Sequence, residues 1–226
     1  MEHKKERALL KNVRLQYARW DDLPIEVQNT FALWANGRLE EGRDFYRLYF
    51  YWYNVAREAA CVLRASYGST AADVWVEEDA MNRFAVAYWR AKGQSLRLLD
   101  LEKKLRILLA NLPDPVPADQ DRRAYFRRHY QEICANPTAF AYFQFRIALE
   151  NLQQPIEFPT ALRTLISPIA SDGNTIPLSP DIPMEETLPY FSVGDIAKTV
   201  SAYGLCMPEI QVTCAYHPAL QFVQWD

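Results

Sequence analysis

The side chains in this sequence whose types and spacing could hold a metal are Cys206, Cys214 and His217. Thiolate and imidazole suit zinc, and Cys214-x-x-His217 is a close pair. Structural zinc sites bring paired ligands two to four residues apart, whereas Cys206 and Cys214 are eight apart, and a fourth ligand would have to come from the distant His129. No metal and no cofactor is expected. For hydrolysis there is no GxSxG, no HExxH and no histidine well placed for a Ser-His or Cys-His pair. The seven glycines form neither common phosphate-cradling loop. Glu77-Glu78 and Glu185-Glu186 are adjacent rather than stacked on one helix face, which places them on a solvated surface.

Residues 121–129 concentrate Arg122, Arg123, Arg127, Arg128 and His129. Arg122 and His129 are seven apart, so about 700° of helical rotation returns them to one face, while Arg123 and His129 diverge. The run resembles the Arg-x(4–6)-His motif of HEPN ribonucleases. That resemblance implies a helical bundle and a metal-independent endoribonuclease, with Arg122 and His129 converging on an RNA phosphodiester. The polar residue that commonly follows the arginine in that family is missing, since Arg123 follows Arg122 and Ala124 follows Arg123. Lys103, Lys104, Arg106, Arg127 and Arg128 offer a second nucleic-acid reading, in which basic helices contact phosphates. The segment Ser192–Lys198 resembles the first helix of a helix-turn-helix of bacterial regulators. Ser201 stands where the tight turn wants glycine, and Pro208 and acidic surroundings oppose phosphate contacts.

Aromatic residues are abundant, with 6 Trp, 13 Tyr and 11 Phe, and they crowd residues 45–53. Arg43, Arg47 and Arg57 interleave with Tyr51 and Tyr53 there. Aromatics with arginine are what protein interfaces concentrate, and aromatics also fill large helical cores.

The elements that would carry these residues are mostly helices. An amphipathic helix is expected over 4–19, a second over 25–36 closed by Gly37, and an apolar helix over 44–65. A long pattern over 79–112 places Leu98, Leu101, Leu105, Leu108 and Leu112 at alternating spacings of three and four, as in antiparallel bundle packing. Pro113, Pro115 and Pro117 end it. Residues 119–134 and 139–152 read as two more helices, the latter with Asn136 as N-cap and Pro137 at its first position. Beyond Leu152, prolines interrupt every long element up to Pro189. A short helix over 193–203 and a hairpin around His217-Pro218 then close the chain.

The expected fold is therefore mainly α. It comprises a helical bundle of five to six helices over 1–152, a proline-rich arm over 153–190, and a small C-terminal helix plus β-hairpin over 191–226. Charge reverses at the join: residues 1–150 hold 23 of the 25 Lys and Arg and carry +3, whereas 151–226 carry −6. Four scattered cysteines without CxxC spacing suit a reducing compartment, and no signal-like or membrane-length apolar run occurs, so a cytoplasmic location is expected. The reading with fewest assumptions is a non-enzymatic, bacterial-type adaptor, inhibitor or assembly subunit. It would bind a protein partner through Arg43, Arg47, Tyr51, Tyr53 and Arg57. The alternatives are the metal-independent endoribonuclease and a nucleic-acid-binding regulator.

Overall fold

The computed structural model describes residues 13–67, 73–166 and 189–214. The chain enters through a strand, β1 (Val13–Tyr17), whose alternate residues Val13, Leu15 and Tyr17 are buried. Helix α1 (Ile25–Trp34) ends where Asn36 and Gly37 both turn left-handed, at φ 68° and 80°, and the Gly37 N–H caps the Ala32 carbonyl at 2.7 Å. Next, α2 (Leu39–Tyr46), a π-helical turn (Arg47–Tyr53) and α3 (Asn54–Ser66) run on without a break. The wider π turn brings Tyr49, Trp52 and Tyr53 inward together. There Phe45 stacks on Tyr49 at 5.5 Å and Trp52 on Trp89 at 4.6 Å.

Helix α4 (Val74–Ala91) is the centre of the molecule. It packs against α3, α5 (Ser95–Asn111), α6 (Arg122–Arg128), α8 (Pro137–Leu152) and α9 (Phe158–Ile166). Being enclosed, it buries residues on several faces, including Trp75, Met81, Phe84, Val86, Tyr88 and Trp89. The short α7 (Tyr130–Ala135) lies on α8, and α10 (Pro189–Ser201) packs on α3, sinking Val193, Ile196 and Val200 into the same core. Asp195 of α10 accepts from the Tyr88 hydroxyl at 2.5 Å and pairs with Lys92 at 2.8 Å. Strand β2 (Ile210–Cys214) pairs with β1 in parallel, Val13 against Ile210 and Tyr17 against Cys214.

The expected fold class needs correction in several places. Among the described residues there are nine α-helical rods, counting α2 through α3 as one, and seven of them lie within 1–152, where five or six were expected. The pattern over 79–112 divides at Gly93, whose φ of 70° breaks the rod, and that over 119–134 divides at His129. No hairpin forms among the described residues. The alternation at Ile210, Val212 and Cys214 does make a strand, but its partner is the N-terminal segment, where Val13 and Leu15 in a short apolar run were equally compatible with a helix. His217 and Pro218 lie outside the described residues, as do 167–188 of the expected arm and 4–12 of the expected first helix. The arm is not extended throughout, since Pro159, tolerated in a first turn, opens α9, which buries Phe158, Leu162 and Leu165.

Candidate functional site

Four groups of residues are candidates, two of them sharing Arg57, and the first is the aromatic and arginine set on the long helix. Arg47 is exposed and Arg43 half-buried. The half-buried Tyr51 donates its hydroxyl to the Ala18 carbonyl at 2.7 Å. Tyr53 is fully enclosed and donates to Asn82 Oδ1 at 2.7 Å, and Arg57 is buried as well. The aromatic band thus faces the core rather than solvent, because the π turn rotates its rings inward.

Arg122 and His129 each have their own partners. The Arg122 guanidinium pairs with Asp114 at 2.7 Å and lies over the Tyr142 ring. Burial would raise the Asp114 carboxyl, but the Tyr142 hydroxyl, the Val116 N–H and Arg122 hold it below its ordinary range. His129 stops α6, lies against Tyr125 with the rings tilted and their centres 4.5 Å apart, and places Nδ1 at 2.9 Å from Glu132. No hydrogen bond or ion pair joins the two among the described residues. Of the basic residues, Lys104 faces Glu41 at 3.4 Å, Arg106 pairs with Glu102 at 2.7 Å and Arg127 with Asp73 at 2.5 Å. Lys103 and Arg128 are exposed on different helices.

A cavity of about 360 Å³ lies where α3, α4, α7 and α8 meet. Arg57, Glu58 and Cys61 line it from α3, Glu77, Glu78 and Met81 from α4, Tyr130 and Cys134 from α7, and Phe140 from α8. Arg57 Nη1 donates to Glu58 Oε1 and Nη2 to Glu78 Oε2, and both carboxylate side chains are only 7% exposed. Asn54 also donates to Glu58 Oε1. Glu77 is held separately by Arg64, at 2.5 Å, and Arg64 donates in turn to the Leu165 carbonyl at the end of α9. Burial pushes the Glu58 carboxyl above its ordinary range, with Arg57 opposing and Glu78 adding to the rise. Burial likewise lifts the Cys61 thiol to about 12, which leaves it an unreactive thiol at neutral pH. Glu78 was expected on a solvated surface with Glu77. The missing signal is its partner, since nothing in the order of residues announces that Arg57, 21 positions earlier, faces it across a helix interface.

The fourth group is on α5. Its inner face buries Leu98, Leu101, Leu105, Leu108 and Leu112. Its outer face exposes Leu96, Leu99 and Ile107, at 82%, 52% and 39%. These three and Lys103 fall on one stripe at helical spacing. Asn111 donates to the Trp34 carbonyl at 2.9 Å, which seats the end of α5 against the end of α1, next to Leu33, itself 69% exposed.

Among the described residues no group of three or more His, Cys, Asp or Glu is placed to hold a metal ion, and no helix is long and apolar enough to cross a membrane. Compared with family models, curated proteins and solved structures, the chain matches none.

Proposed function

We propose that this protein is a non-enzymatic protein-binding module, an adaptor, inhibitor or assembly subunit, whose outer α5 face receives an amphipathic helix of a partner. The observation that carries this reading is the exposure of Leu96, Leu99 and Ile107 on a helix whose opposite face is already filled with leucine. Apolar side chains at i, i+3 and i+11 supply the anchors that a helix-on-helix contact uses. Lys103 stands in the middle of the stripe and makes no ion pair among the described residues. A second copy of the chain docked symmetrically about that point would set Lys103 against Lys103. A partner with a carboxylate between its apolar anchors pairs with it instead.

The reading is tested by comparing what co-purifies with the wild type, with Leu96→Glu/Leu99→Glu, and with Thr164→Glu, a change on the exposed side of α9. A partner retained by Thr164→Glu and lost by the double variant, at unchanged melting temperature, is the expected result. Resonance shifts in labelled protein should then cluster on residues 96–107 when the partner's helix is titrated. A partner that is insensitive to the double variant, or shifts confined elsewhere, would overturn it.

A further inference from the structure

The cavity between α3, α4, α7 and α8 has a charge imbalance at its wall. Glu58 and Glu78 share the single guanidinium of Arg57, and Glu77 is already matched by Arg64. Arg57 uses one oxygen of each carboxylate, Oε1 of Glu58 and Oε2 of Glu78. The second oxygen of each accepts no hydrogen bond from the described residues and is not sealed off from the cavity, although both side chains are more than nine-tenths buried, whereas Arg57 Nε behind them is enclosed and unpaired. A buried carboxylate in excess of its counter-charges is costly unless it takes up a proton or meets another cation. The rest of the wall is apolar or aromatic, with Val74, Met81, Tyr130 and Phe140, and a volume of about 360 Å³ is far more than a bare metal ion occupies. Glu77 and Cys134, both on the lining, are in part reached by solvent, so the cavity has a rim.

We infer that this cavity is a binding site for a primary alkylammonium ion, whose charged head is held by Glu58 and Glu78 and whose short apolar body lies against Met81 and Phe140. Two of the three ammonium donors can meet the two open carboxylate oxygens, and its single positive charge offsets the one carboxylate in excess of Arg57. Arg57 keeps the carboxylates apart and oriented. This site is independent of the α5 face and stands or falls separately.

The experiment is isothermal titration calorimetry on the full chain with n-butylammonium as a free amine, Nα-acetyl-lysine amide as a lysine side chain, and 1-butanol as the neutral shape control. Saturable one-to-one binding of at least one amine is expected, with 1-butanol at least about tenfold weaker. Whichever amine binds more tightly identifies the source of the ammonium group. Glu58→Gln, which keeps the shape of the side chain, should weaken amine binding by at least about tenfold without lowering the melting temperature. Met81→Trp, which fills the cavity and leaves every charge in place, should abolish it. Absence of amine binding at millimolar concentration, equal binding of 1-butanol, or amine affinity unchanged in both Glu58→Gln and Met81→Trp would each overturn the proposal.

Discussion

Arg57 on α3 donates from Nη2 to Glu78 Oε2 on α4, and this bond crosses the interface between two central helices with both side chains buried. Because Glu58 shares the same guanidinium, Arg57 is, among the described residues, the one cation paired with two buried carboxylates. Arg57→Leu strands both, and removal of one partner of a buried pair costs about 3–5 kcal/mol. The urea midpoint should fall accordingly at neutral pH. Replacing all three by apolar residues of similar volume, Arg57→Met/Glu58→Met/Glu78→Leu, removes the stranded charges together and should recover most of the loss. If Arg57→Leu alone is as stable as the wild type, the triad is not a buried electrostatic unit.

Glu58 also sets a pH dependence of opposite sign to that of the surface carboxylates. Burial raises its carboxyl in the folded state. An acid with a raised folded value contributes stability below its unfolded pKa and loses it as pH rises through the folded one. Glu58→Gln cannot ionise, so it should be more stable than the wild type, by a margin that grows as pH rises from the unfolded carboxyl range through the raised folded one. Denaturation midpoints of the two proteins across that range measure this. Asp73 behaves the other way, because the Arg127 hydrogen bond, backed by the Trp75 N–H, holds it below its ordinary range. Stability from Asp73 is present above its unfolded pKa and is lost as pH falls through the folded one.

The two faces of α5 should respond oppositely to truncation. Leu101 is fully buried, and Leu101→Ala should cost about 2–5 kcal/mol through lost burial and the cavity it leaves. Leu96 is 82% exposed, and Leu96→Ala should stay within about 0.5 kcal/mol of the wild type. Thermal unfolding of both variants checks the assignment. A large loss from Leu96→Ala would mean that its side chain packs on this chain rather than facing outward.

Features that repeat locally were legible in the sequence. The leucine seam of α5 is buried as its spacing requires, and Asn136 caps α8 by accepting from the Thr138 and Ala139 N–H groups with Pro137 behind it. What depended on distant partners was not. The pairing of Val13 with Ile210 joins segments at opposite ends of the chain, and no local pattern announces a parallel crossover. The burial of Tyr53 and Arg57 follows from a π turn that shifts the inward face, whereas ordinary helical spacing leaves part of the aromatic band outward. Glu78 is hidden for the same reason, since an acidic pair reads as solvated until the arginine opposite is known.

Two glycine-to-alanine changes in helices should carry opposite signs. Alanine gains about 1 kcal/mol over glycine from helix propensity alone. At Gly42 in α2 that gain is opposed, because a Cβ would stand 2.7 Å from the backbone nitrogen of Ala32 and 3.0 Å from its Cα. Backbone cannot swing aside as a flexible side chain can, so α1 and α2 would have to separate, and overpacking of this kind costs about 1–3 kcal/mol. At Gly194 in α10 a Cβ meets nothing within 4 Å and φ is not left-handed, so the propensity gain is unopposed. Gly42→Ala should therefore lower the urea midpoint and Gly194→Ala raise it, each relative to the wild type under the same conditions. If Gly42→Ala is stabilising, the close approach of α1 to α2 is looser than the distance to Ala32 implies.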